Sequence, residues 1–149
     1  MLAYSRCKSI GVQLQGQERR VVTGVLEDEL YAMECEILVH WPTLTIEAVS
    51  TKMKRYTTYR CPEAARVFSK AEGWIIGPGL NSRIKKELGR NGCRHMAVLM
   101  VDCCQALVRA EYARELRATI AATPECDAKK SVESFLDRNP GLRGYLLIR

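Results

Sequence analysis

No run of apolar residues in this sequence approaches the roughly 18–20 needed to cross a bilayer. The opening Met1-Leu2-Ala3-Tyr4-Ser5-Arg6-Cys7-Lys8 also lacks the apolar core of a secretory signal. Both absences lead us to expect a cytoplasmic chain, off the membrane, with its thiols kept reduced. The glycine-rich loop that cradles phosphates, the nucleophile elbow and the paired zinc CxxC are missing too. Ile76-Gly77-Pro78-Gly79 contains two glycines, but its proline removes a backbone donor, so it reads as a tight turn. The acids are scattered along strand ends and helices, and no pair is set for acid–base work. Hydrolase and kinase chemistry is therefore without support.

Concentrated charge is a further absence. The net charge is +6, yet the basic residues are spread over Arg19-Arg20 and residues 52–55, 83–86 and 109–117. Aromatics accompany these stretches only as scattered tyrosines, Tyr56 and Tyr59 after residues 52–55 and Tyr112 within residues 109–117. Nucleic-acid-binding domains show a dense stripe or a recognisable module. A solvated basic surface is the better reading; nucleic acid is not expected, and the partner stays open, with a protein among the candidates. The cysteines form no disulfide framework either: there are seven, an odd number, and Cys103 and Cys104 are adjacent. They read as free thiols, some available as metal ligands.

What is present suits one globular domain: 149 residues, 47% hydrophobic and 27% charged. Residues 1–56 read mainly as strands, residues 60–122 as a helical half, and residues 124–149 as a C-terminal extension. Ile10-Gly11-Val12-Gln13-Leu14 alternates as a half-buried strand does. Arg20-Val21-Val22-Thr23-Gly24-Val25-Leu26 is β-branched, and the polar Gln15-Gly16-Gln17-Glu18 between them suits a hairpin. Residues 32–41 and 44–53 form a second pair, turned at Trp41-Pro42-Thr43. In the last strand Leu44, Ile46, Ala48 and Ser50 are expected on one face, with Thr45, Glu47, Val49 and Thr51 on the other.

Helices follow. Cys61-Pro62-Glu63 opens one, because proline tolerates the first turn and an acid faces the positive dipole end; Gly73 closes it. Asn81 or Ser82 is expected to cap a short helix ending before Gly89. The longest helix is expected from Cys93 to about residue 122, with Met96, Leu99, Met100, Cys103, Leu107, Ala110, Ala113 and Leu116 as its buried stripe. A short helix over residues 128–136 and an apolar end, Tyr145-Leu146-Leu147-Ile148, complete the chain. Strands first and helices after give an α+β fold, an antiparallel sheet of about four strands with helices on one face.

One candidate site stands out. Cys61 falls at a strand-to-helix junction, and Cys93 at the start of the long helix within Gly92-Cys93-Arg94-His95-Met96. The first turn of a helix presents free N–H groups and positive potential, surroundings that suit a nucleophilic or metal-binding sulfur. His95 brings an imidazole to the same turn. Each residue also has a plainer reading, since cysteine is among the most often buried residues. Cys103 and Cys104 read as core, His40 as structural, and nothing singles out Cys7 or Cys126.

The blocks Cys61-Pro62-Glu63-Ala64, Gly77-Pro78-Gly79 and Gly92-Cys93-Arg94-His95-Met96 resemble those of an uncharacterised bacterial family, domain of unknown function number 2889. That family carries C-P-x-A, G-P-G and G-C-x-H-L in the same order, and the resemblance runs over about residues 20–120. More distantly, the layout is similar to the U-type iron–sulfur cluster scaffolds and the E-type sulfur acceptors, which are sheets followed by helices. That likeness implies thiolates from Cys35, Cys61 and Cys93 holding zinc or a nascent cluster, with a histidine, here His95, as fourth ligand. The sequence departs from the scaffolds in having Gly92 before the third cysteine and Pro62 after the second.

Three functional expectations result. The first is a metal- or cluster-binding module using Cys61, Cys93 and His95, with Cys35 added and zinc or an iron–sulfur cluster as the cofactor. The second is a thiol-dependent enzyme or sulfur acceptor with Cys93 as nucleophile, tuned by His95. The third is a metal-free interaction domain with buried cysteines.

Overall fold

A computed structural model describes residues 1–145. Beyond Tyr145, the apolar end read from the sequence lies outside the described residues. Strands β1 (Arg6–Gln15), β2 (Arg19–Asp28), β3 (Ala32–His40) and β4 (Thr45–Arg55) form one antiparallel sheet in chain order. Helix α1 (Cys61–Arg66) runs into a 3₁₀ turn, and α2 (Leu80–Arg83) into a π-helical turn, Ile84–Gly89. The long α3 (Arg94–Ala122) and the shorter α4 (Ala128–Arg138) follow. This is the expected α+β fold, and no helix among the described residues is long and apolar enough to cross a membrane.

Alternation decides which face of the sheet meets α3. Val22 and Leu26 of β2 and Met33, Cys35, Ile37 and Val39 of β3 all point inward and are buried. They meet the α3 stripe, in which Met96, Leu99, Met100, Cys103 and Leu107 are fully buried. At Gly24 the side chains of α3 press against the strand. A Cβ there would lie 2.5 Å from the Cys103 sulfur and 3.0 Å from Leu99 Cδ1, so only glycine lets α3 rest on the strand backbone.

The α3 stripe contains one acid that apolar periodicity conceals. Glu111 is buried and pairs with the equally buried Arg20 of β2. The guanidinium also donates to the Gln17 and Arg19 carbonyls, each at 2.9 Å, and Arg114 reaches Glu111 from the surface at 2.8 Å. With its remaining donors and acceptors occupied in this way, the pair locks the β1–β2 hairpin to the middle of α3. At the other end of β2, Asp28 accepts from the Leu30 and Tyr31 backbone N–H groups, each at 2.8 Å. Burial opposes its charge, but those N–H groups with Arg6 and Tyr4 hold the carboxyl well below the usual carboxylate range.

Strand β4 departs from the expected pattern. Its register against β3 shifts between Leu38 and Val39: Val39 pairs with Ile46 but Leu38 with Ala48, leaving Glu47 as an extra residue. This bulge reverses the alternation beyond it. Val49 and Met53 pack against the core together with Ile46, while Ala48 and Ser50 are exposed. Thr51 is turned the same way, and its hydroxyl donates to the Ala65 carbonyl of α1 at 2.9 Å. The start of β4 is covered by residues 73–76: Ile46 N–H donates to Trp74 O at 2.8 Å, and Gly73 N–H to Ile46 O at 2.7 Å.

The short second helix is also capped differently. Gly79, in a left-handed conformation with φ of 87°, precedes it, and neither Asn81 nor Ser82 caps it. Asn81 instead accepts from the Tyr145 hydroxyl at 2.9 Å, tying the chain's last described residue to this helix. Phe135 of α4 is buried against Trp41 and, edge-on, Tyr112.

The Arg20–Glu111 pair gives a stability prediction. Glu111→Ala, which leaves Arg20 buried without its acid, is expected to lower the unfolding free energy by about 3–5 kcal/mol. Replacing both partners, Arg20→Met with Glu111→Leu, is expected to recover most of that loss in urea unfolding.

Candidate functional site

Two helix starts converge beside the sheet, and the reason is a glycine. Gly92 sits so close to α1 that an added Cβ would lie 2.6 Å from the Ala64 carbonyl oxygen and 2.8 Å from that of Leu88. The backbone leading into α3 thereby rests on the first turns of α1. Cys61, the first residue of α1, and Cys93, which precedes α3, come to line one groove of about 350 Å³. Thr58, Arg60, Arg90, Arg94 and His95 line the same groove.

The two sulfurs have different surroundings. Cys93 is buried, and its sulfur accepts the Met96 N–H at 3.5 Å, so it caps α3 as serine would. Cys61 is half-buried and stands 3.4 Å from the Thr58 hydroxyl. That hydroxyl holds the Cys61 thiol below its ordinary pKa; partial burial opposes the shift, and further hydrogen bonds from Thr58 and Thr57 assist it. The site is possible because the chain folds back between β4 and α1: Cys61 N–H donates to the Thr58 carbonyl at 3.1 Å, a turn that turns the threonine side chain toward the sulfur.

His95 is half-buried on the first turn of α3, with its ring stacked on Tyr31, 4.3 Å between centroids. The Tyr31 hydroxyl in turn lies 3.3 Å from that of Thr57. The ring is thus held by aromatic contact at the groove wall.

Cys35 is elsewhere. It is fully buried in β3 beside Cys103, and that sulfur together with burial pushes its thiol well up. Cys103 lies ten residues along α3 from Cys93, a helical rise of about 15 Å. The face that Cys35 presents follows from strand register, and the register turns it toward the helix. Of the four residues expected to hold a metal, then, the groove brings together Cys61, Cys93 and His95 and leaves Cys35 in the core. Among the described residues no group of three or more His, Cys, Asp and Glu side chains is placed to hold a metal ion. Cys103 and Cys104 are core, as expected. His40 is structural: its Nδ1 lies 2.8 Å from the Thr43 hydroxyl.

A larger cavity, of about 560 Å³, opens between β1 and α3, but it is lined by Ile10, Val12, Ala106 and the Lys8–Asp102 ion pair and holds no nucleophile. The groove at Cys61 combines two thiols with an imidazole.

The family model described as protein of unknown function (DUF2889) matches residues 10–109. The chain belongs to this family. The DUF2889 match runs from β1 into the middle of α3 and so includes the whole groove. No curated protein and no solved structure matches the chain. The distant likeness to iron–sulfur scaffolds accordingly gains no support from a solved structure.

Sequence reasoning passed over Thr58 and Tyr31, and named Gly92 only as the neighbour of Cys93, without its contact on α1. A threonine three residues ahead of the Cys61-Pro62 helix start was the available signal for the first. The other two depend on contacts between distant segments. Thr58→Val is expected to move the pH midpoint of Cys61 alkylation upward, because it removes the donor that favours the thiolate; iodoacetamide rates across a pH series measure this. Gly92→Ala is expected to destabilise the protein by about 1–3 kcal/mol, the usual cost of forcing atoms into a filled contact, and to alter the Cys61 rate as α1 shifts. Thermal unfolding and the same alkylation assay read both effects.

Proposed function

We propose that this DUF2889 protein is a thiol-dependent protein whose attacking group is Cys61, with Cys93 as the second thiol of the groove. The supporting observation is the contrast between the two sulfurs. Cys61 is reachable and its thiolate is favoured by Thr58, whereas Cys93 is buried behind it as a helix cap. The sequence expectation placed the nucleophile at Cys93, tuned by His95, and gave Cys61 no part in the thiol reading. In this reading the fixed His95 ring forms part of the wall.

The chemistry that suits two thiols in one groove is exchange with a disulfide substrate. The Cys61 thiolate attacks one substrate sulfur. A Cys61–substrate bond forms as the substrate S–S bond breaks, and the other substrate sulfur leaves as a thiolate that takes a proton from solvent. Cys93, losing its proton to solvent, then attacks the Cys61 sulfur and closes a Cys61–Cys93 bond, releasing the first substrate sulfur. The substrate is reduced to two thiols, and the two protein thiols are oxidised to one disulfide.

A metal reading uses the same groove, with zinc or an iron–sulfur cluster on Cys61, Cys93 and His95. Among the described residues no group of three or more His, Cys, Asp and Glu side chains is placed to hold an ion, so the thiol reading fits the observed arrangement better.

The test is site-resolved alkylation of protein purified anaerobically without chelator. At pH 7 Cys61 is expected to react faster than the exposed Cys7. A pulse of oxidised glutathione is expected to leave a mixed disulfide at Cys61 that accumulates in Cys93→Ser. Cys61 reacting no faster than Cys7 overturns the thiol reading, and near-stoichiometric zinc or iron in the same sample would put the metal reading in its place.

A further inference from the structure

The groove at Cys61 does not end at Cys93. Gly89, Arg90 and Arg94 border it and also border a second hollow of about 490 Å³, whose other walls are Lys85, Ala97 and Val98. The two hollows adjoin along these three residues and together are called the trough; the π-helical turn seats Gly89 against α3 there, where an added Cβ would lie 3.1 Å from that of Ala97. Four exposed cations line the trough: Arg60 on one side, Arg90 and Arg94 at the join, and Lys85 toward the far end. No carboxylate lines either hollow.

These cations differ from most of the others. Arg19, Arg20, Arg83 and Arg143, for example, each hold an acid. Among the described residues, Arg60, Lys85, Arg90 and Arg94 have no ion-pair partner, although the chain carries 17 acids. Like charges gathered along a concave surface repel one another and focus a positive potential there. An anionic ligand would relieve that repulsion.

We propose that this trough binds an extended acidic segment of a partner protein and so presents that partner's disulfide to Cys61. The substrate assignment rests on the thiol reading; the binding itself does not. The cations are distributed over both hollows rather than converging on one point, which suits a chain of carboxylates better than one small anion. Val98, 43% exposed at the far end, adds an apolar foothold. Nucleic acid fits less well, because single strands are held by stacking on aromatic platforms, and the one aromatic ring lining the trough, His95, is already packed on Tyr31.

The test is fluorescence anisotropy with a labelled peptide of alternating Asp, Glu and Gly that contains no cysteine, so that binding is read apart from thiol chemistry. Wild-type protein is expected to bind it, more weakly as salt rises. Arg90→Gln with Arg94→Gln is expected to weaken binding at least tenfold, while Arg109→Gln, on another part of α3, is not. Bound peptide is expected to slow alkylation of Cys61. Four results would each overturn the proposal: no binding, equal binding by the Arg90/Arg94 variant, tighter binding of oligothymidylate, or displacement by inorganic phosphate at the peptide's own concentration. If the peptide binds while Cys61 reacts no faster than Cys7, the trough stands and only the disulfide substrate is lost.

Discussion

Leu99 and Cys103 of α3 rest directly on the backbone of β2 at Gly24, and this contact sets the spacing between helix and sheet for the whole molecule. A side chain at position 24 would lift the helix. The core residues of β2 and β3 would then lose the surface they are buried against, and the Arg20–Glu111 pair farther along α3 would lose its geometry. The same seat fixes where α3 begins. Since Cys93 caps that beginning and Gly92 lies against Ala64, the position of the groove depends on the place where α3 crosses the sheet.

Cysteine has three distinct physical roles within this one chain. In the core, Cys35, Cys103 and Cys104 behave as small apolar side chains; burial pushes the Cys104 thiol far up, and Cys35 is raised by its neighbour Cys103 as well. At the start of α3, Cys93 does the work of a capping hydroxyl. At the start of α1, Cys61 is open to solvent on one side and has a hydroxyl donor on the other. The differences come from position in the fold: mid-strand and mid-helix, helix cap, and helix entry beside a turn.

Much of the fold was legible in the sequence because period-two and period-3.6 patterns are imposed by burial on one face. The four strands and the α3 stripe as far as Leu107 were read in this way, its expected members Ala110, Ala113 and Leu116 being only half-buried; the two cysteine-bearing helix starts were read from proline, acid and glycine placement. Patterns fail where one residue breaks the period. Glu47 does so in β4, so the inward face beyond it is Val49, Thr51 and Met53. Glu111 lies in the buried stripe but is hidden from apolar periodicity, since only a partner on another element, Arg20, makes its burial tolerable. The inward turn of Cys35 follows from strand register, and the caps expected from Asn81 or Ser82 gave way to the backbone freedom of Gly79. In the candidate site, Cys61, Cys93 and His95 were legible as residue types at helix starts. The unpaired state of Arg60, Arg90 and Arg94 was not, because ion pairing is decided by residues far away in the chain.

The sulfurs sealed between sheet and α3 have a use to the observer. Cys35, Cys103 and Cys104 can meet a reagent in water only in molecules whose helix has parted from the strands beneath it. The rate at which these three thiols become labelled therefore counts such partings. At high reagent concentration it gives the frequency of opening, and at low concentration the fraction of molecules open at any moment. The protein thus carries, at its centre, a built-in gauge of its own breathing.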